Sequence, residues 1–172
     1  MDERPDVESS RTQADSISRV MATWAVSRPD LDVAAIGITA RLSRLRQTLG
    51  ARLERVFAAH GLTGGDFAVI ATIVRLGGQP LTQKKLMSEL NLTAGTISVR
   101  IDRLVSNGLV RRTPDSADGR SYLIELTAAG RAAFEACVPE HLENARQLVS
   151  ALSAEERDQL GALLGKLLSS LE

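Results

Sequence analysis

The sequence predicts a mainly α-helical protein that carries one small β-hairpin. Three observations predict it. Aromatic residues make up only 3 % of the 172 residues, so a core must come from Leu, Ile, Val and Ala, which favours packed helices over a β-sandwich. Several long segments repeat apolar residues at spacings of three and four, the period of a helix with one buried face. Between residues 109 and 126 the pattern shortens to two apolar runs, "LVRRT" and "SYLIEL", around the turn-forming "PDSADG".

Residues 1–14 are polar and are expected to form a disordered tail. A short helix is predicted over 15–27, with Ile17, Val20, Met21 and Trp24 on one face, and "RPD" breaks it at Pro29. Asp32 then caps a long helix to His60, striped by Ile38, Leu42, Leu45, Leu49, Leu53 and Val56, and Gly61 stops it. A core helix follows over about 64–76 and ends at Gly77 and Gly78. Thr82 caps a short helix to Leu90, and Thr93 caps another to about Ser106 that ends at "NG". After the two strands, Thr127 caps a long helix in which Pro139 is a candidate bend. Ser153 caps the last helix, whose apolar residues are Leu160, Leu163, Leu164, Leu167, Leu168 and Leu171. The outer helical regions carry more apolar surface than a small central domain covers. Such a surplus marks association, although packing within one chain as a bundle gives the same pattern. The expected organisation is N-terminal dimerisation helices over 15–60 that also offer a ligand pocket, a central domain over 61–127, and C-terminal dimerisation helices over 128–172.

Charge and composition exclude several classes. The chain has 21 basic and 21 acidic residues, so it is no general polyanion binder. From Arg75 to Arg131 nine Lys/Arg face five Asp/Glu, a local balance of 9 − 5 = +4, and a basic middle in an acidic frame suits a local polyanion contact. One cysteine, Cys137, excludes an internal disulfide framework and fits a reducing compartment. No secretory h-region and no membrane-length apolar run is seen, so a cytoplasmic location with no membrane partner is expected. His60 and His141 are the only histidines, no Cys/His cluster has metal spacing, and neither a phosphate-binding glycine loop nor G-x-S-x-G occurs. Neither an enzyme nor a cofactor is expected.

The middle reads as a helix-turn-helix followed by a wing. Leu86 and Leu90 face inward on the first helix, Leu92 fills the turn, and Ile97, Ile101 and Leu104 form the inward stripe of the second. Gly95, Val99 and Asp102 then point away, flanked by Thr96, Ser98 and Arg103. Small and hydroxyl side chains near a helix start suit entry into a major groove. Taken alone, the helix pair fits a plain αα-hairpin equally well. The hairpin that follows, with Arg111, Arg112 and Arg120 near an irregular tip, makes a winged helix-turn-helix, because a wing-tip arginine can enter a narrow minor groove. Arg100 lies nearer the buried flank of its helix than the outward face.

"DGRSYLIELT" at 118–127 resembles the D-x-R-x-x-x-x-x-L-T wing signature of the MarR family of transcriptional regulators. "RIDRLVSNGLVRR" is similar to the end of that family's recognition helix and its first wing strand, and the order of elements agrees over 33–171. The resemblance implies a homodimer that binds palindromic double-stranded operator DNA and is released by a small anionic or phenolic ligand, with repression as its usual sense. It implies Asp118 and Arg120 as wing residues and Thr93, Thr96, Ser98 and Val99 as recognition-helix contacts, beside the basic candidates Arg103, Arg111 and Arg112. "TWAVSRPDLD" resembles the urate-responsive PecS/HucR branch, which carries an N-terminal helix with a tryptophan over the ligand pocket. That resemblance implies Trp24 and Arg100 as ligand-binding residues, while a core anchor is an equal reading of Trp24. Ala68 stands where the branch carries an aspartate, which counts against urate itself.

Two other readings stand beside this one. A redox-controlled regulator would act through Cys137, although a buried structural thiol is the commoner use of a free cysteine. A helical interaction module would show no salt-dependent DNA binding.

Overall fold

The computed structural model describes residues 14–115 and 121–172. The polar tail expected over 1–14 lies almost wholly outside the described residues, as do the wing-tip candidates Asp118 and Arg120. Two units are defined, one up to Thr48 and one from Leu49 onward.

The first unit holds α1 (Ser16–Ser27) and the start of α2 (Ala34–Ala59). Asp15 caps α1 by accepting the Ser18 N–H at 2.6 Å. The same carboxylate accepts Arg41 Nε at 2.8 Å, and Arg41 also donates to Ser18 Oγ at 3.0 Å, so one arginine of α2 fastens the first turn of α1. Gly37 is buried where Met21 crosses it. Asp32 accepts the Ala34 N–H at 3.0 Å, which is the expected cap of α2.

The second unit begins inside α2, where Leu53, Val56 and Phe57 pack into its core. α2 ends as Gly61 takes φ +68 and Leu62 N–H reaches back to Phe57 O at 3.0 Å. α3 (Gly64–Arg75), α4 (Gln83–Glu89) and α5 (Ala94–Ser106) follow, capped by Thr63, Thr82 and Thr93. Asn91, in the left-handed region at φ 49, makes the turn between α4 and α5, a conformation asparagine tolerates better than most residues. Then come β2 (Val110–Pro114), β3 (Tyr122–Leu126), α6 (Ala128–Leu148) and α7 (Ala154–Ser169).

The hairpin is joined by a third strand that the sequence did not reveal. β1, Leu81–Thr82, pairs antiparallel with Leu123 and Ile124, giving the order β1-β3-β2. Two residues carry no periodicity, so this strand exists only through its partner. It hydrogen-bonds the start of α4 to the wing.

The core is mainly aliphatic, with Phe57 and Phe67 stacked in it at 4.7 Å between ring centroids. Val69, Ile70, Ile73, Leu86, Ile97, Ile101, Leu104 and Ile124 are fully buried, and each such side chain contributes about 1.5–3 kcal/mol. α6 adds Phe134, Cys137 and Val138. It approaches closely because a Cβ at Gly130 would collide with the Leu109 carbonyl oxygen. Thr127 Oγ1 donates to Gly108 O at 2.7 Å and fixes this corner behind the wing. α7 buries none of its residues.

Candidate nucleic-acid interface

α5 is the centre of the site because its two faces differ. Ile97, Ile101 and Leu104 hold it to the core, and Thr93 accepts the Thr96 N–H at 3.3 Å as its cap. On the opposite face Gly95, Thr96, Val99 and Asp102 are exposed, Val99 at 69 %. An exposed valine beside hydroxyls and a glycine makes the first turns of this face shallow and uncharged, which a major groove can receive, and the one carboxylate, Asp102, lies further along and is paired with Arg112.

The arginines fall into distinct arrangements. Arg103, expected as a DNA contact, is engaged within the protein. Its Nε donates to Asp66 Oδ1 at 3.1 Å, and its Nη2 engages Asp66 Oδ2 and the Thr63 hydroxyl. Asp66 is 1 % exposed and also closes the capping box of α3 through the Thr63 N–H at 2.9 Å. A helical wheel puts Arg103 on the outward flank. A buried carboxylate without a counter-charge is costly, and that draws the guanidinium back to α3. Hydrogen bonding to Asp66 raises the Arg103 pKa further, so its charge is permanent.

Arg112 bonds Asp102 of α5 at 2.7 Å, which ties β2 to the exposed helix face. Arg111 makes a two-point pair with Glu125, directly opposite on β3, at 2.7 and 2.9 Å. Both arginine–carboxylate pairs are solvent-accessible. Pairs of that kind are worth about 0–1 kcal/mol, so a phosphate can displace the carboxylate. Glu89 is held at about 2 by Lys85 and Arg75. Lys84 is exposed and has no ion-pair partner among the described residues. It lines an open groove of about 630 Å³ with Thr82, Gln83, Arg112, Ser121 and Tyr122, between the start of α4 and the wing. The wing strands are paired from Val110↔Leu126 to Pro114↔Tyr122, and Asp115 N–H to Ser121 O at 3.0 Å extends them toward the tip.

The ligand candidates lie in different units. Trp24 is 42 % exposed on α1 and lines a shallow cleft with Val20, Thr23 and Ser27. Arg100 is half-buried on α5 and lies across Gly65, where a Cβ would sit 2.9 Å from its Nε. Among the described residues it has no hydrogen-bond or ion-pair partner. Ala68 is half-buried within α3, and Asp66 faces Arg103 instead of substituting for the branch aspartate. Cys137 is fully buried, and burial together with the Glu140 carboxylate pushes its thiol pKa up. No group of three or more His, Cys, Asp or Glu among the described residues could hold a metal ion. No single helix there is long and apolar enough to cross a membrane.

Comparison with known proteins agrees with this geometry. Residues 60–121 match the model of the MarR family. The HTH-type transcriptional regulator PecS of Dickeya dadantii is 35 % identical over 151 residues, covering 87 % of this chain and 91 % of PecS. Among solved structures, a mutant MarR from E. coli complexed with operator DNA aligns with TM-score 0.72 and 28 % identity over 79 % of this chain and 96 % of that one. Bordetella bronchiseptica BpsR, described in terms of regulation of DNA binding by 6-hydroxynicotinic acid, aligns with TM-score 0.68 and 25 % identity over 76 % and 97 %. With its winged helix-turn-helix and its match to PecS over nearly the whole length of that protein, the chain belongs to the MarR family of DNA-binding transcriptional regulators.

Proposed function

We propose that the chain is a ligand-responsive regulator, acting as a repressor, that binds a palindromic operator as a homodimer. The observation that carries this reading is the division of α5 into a fully buried face and an exposed face of Thr96, Val99 and their neighbours, with the wing attached beside it. Thr93, Thr96, Ser98 and Val99 serve as contacts in the major groove. Arg111, Arg112 and the wing residues Asp118 and Arg120 serve the backbone and the minor groove. Arg103 serves as the anchor of α5.

Homodimer formation is supported by the uncovered leucines of α7 and by the family. Two recognition helices would then meet successive major grooves about 34 Å apart. The effector is a small anionic or phenolic molecule, and Trp24 and Arg100 are each proposed, by the family resemblance alone, as ligand-binding residues. BpsR supplies the precedent for control of DNA binding by such a compound. An effector can change operator affinity only by binding the two arrangements of the protein unequally.

The test is a titration of the purified protein against its own upstream intergenic DNA at two salt concentrations, with and without urate and simple phenolic acids. Tight, salt-sensitive binding that one of these compounds reverses is expected. Salt-insensitive or absent binding across a wide pool of sequences would overturn the reading.

A further inference from the structure

Gln83 is the first residue of α4 and was not among the candidates read from the sequence. Its amide Nε2 donates to the hydroxyl oxygen of Ser98, on α5, at 2.7 Å. This bond joins the two helices on the side where α5 turns toward solvent.

A serine hydroxyl has one hydrogen and two lone pairs. Within a helix its hydrogen ordinarily goes to the carbonyl four residues back. Among the described residues five other helical hydroxyls follow that habit, with Thr23, Ser27, Thr39, Thr72 and Ser106 donating to the carbonyls of Arg19, Thr23, Ala35, Ala68 and Asp102. Ser98 does not. Its oxygen accepts from Gln83, and no acceptor among the described residues takes its hydrogen. The side chain is half-buried, so its orientation is restricted.

We infer that Gln83 is a specificity-determining positioning residue that fixes the Ser98 hydroxyl as a hydrogen-bond donor toward a base edge of the operator. The inference rests on the reading of α5 as the helix in the major groove. A donor there favours guanine O6 or N7, adenine N7 or thymine O4 over the amino groups of cytosine and adenine, because one of the two lone pairs that could accept from an amino group is already taken by Gln83. Gln83 does this without adding charge, so it contributes to base choice and not to the general attraction for phosphate.

The experiment measures the binding of the full-length protein to a library of operator variants, for the natural sequence, Ser98→Ala, Gln83→Met and the double variant. Both single substitutions should relax discrimination at the same base pair by roughly threefold to tenfold, the worth of one hydrogen bond. The double variant should be no worse than either. A changed preference for Ser98→Ala with none for Gln83→Met, or a Gln83→Met loss spread evenly over all positions, would overturn the inference and leave the α5 reading intact. If Ser98→Ala, Thr96→Ala and Val99→Ala all left every preference unchanged, the α5 reading would fall and this inference with it. Gln83→Glu gives a second check should the methionine variant fold poorly. A carboxylate can only accept, so it turns the Ser98 hydrogen inward and should move the preference at that base pair toward amino-bearing bases. An unchanged preference would contradict the inference.

Discussion

Arg103 of α5 and Asp66 of α3 are joined at two points, through Nε to Oδ1 at 3.1 Å and through Nη2 to Oδ2. The same carboxylate caps α3 by accepting the Thr63 N–H. One buried side chain therefore starts α3 and holds α5 against it.

The first prediction concerns this pair. Arg103→Met leaves Asp66 buried without its counter-charge and should cost roughly 2–3 kcal/mol, below the usual figure for a fully buried pair because the guanidinium is half in solvent. For a chain of this size that lowers Tm by roughly 5–10 °C. Arg103→Lys should fall between, since an ammonium keeps the charge but not the fork. Thermal unfolding of the three proteins decides the matter, and an unchanged Tm for Arg103→Met would remove the anchoring role.

The attachment of α1 should be lost in acid. Arg41 and the Ser18 N–H hold the Asp15 carboxyl at about 2, against an ordinary 3.8. A depressed carboxylate pKa adds stability that is complete above the ordinary value and disappears as pH falls through the lowered one. The window is therefore from about pH 4 down to about pH 2. Trp24, the single tryptophan, lies on α1 and reports the change by fluorescence. Asp15→Asn should flatten the pH dependence within that window, and an identical profile for the two proteins would count against the Asp15–Arg41 fastening.

Cys137 should prove silent. A reactive cysteine needs an accessible thiolate, whereas this thiol is buried and its pKa is pushed up by desolvation and by Glu140. Operator release by effector should be the same in Cys137→Ala and the natural protein, and mild peroxide should release neither. Release by peroxide that disappears in the variant would restore the redox reading.

The α7 leucines test the proposed homodimer. Leu160, Leu163, Leu164, Leu167, Leu168 and Leu171 are 41–78 % exposed and recur at spacings of three and one, a stripe too apolar to be left in water. Leu164→Glu combined with Leu168→Glu should give a monomer by light scattering and weaken operator binding, with helix content kept. A variant that remains dimeric would assign the interface elsewhere.

The fold was legible where its causes are local. Thr82, Thr93, Thr127 and Ser153 cap the helices they were expected to cap, because a hydroxyl two or three residues before an apolar repeat acts within its own turn. β1 was not legible, because two residues become a strand only through Leu123 and Ile124, some forty residues later in the chain. Arg103 shows the same limit within the site. Its wheel position suggests solvent, while the carboxylate that claims it is 37 residues earlier. The T-x-x-D spacing of Thr63 and Asp66 was a usable sign of a cap, but nothing in it announces a buried ion pair. Gln83 was invisible for the same reason, since its meaning depends on Ser98 across the turn.

The most direct test of the central claim tethers an iron chelate to Val99→Cys in a Cys137→Ala background and maps cleavage of operator DNA. Val99 is the exposed centre of α5. If α5 enters the major groove of each half-site, strand cuts should fall in two clusters about one helical turn apart, and effector should abolish both. Cuts scattered along the DNA, or none above the level of the free chelate, would contradict the account.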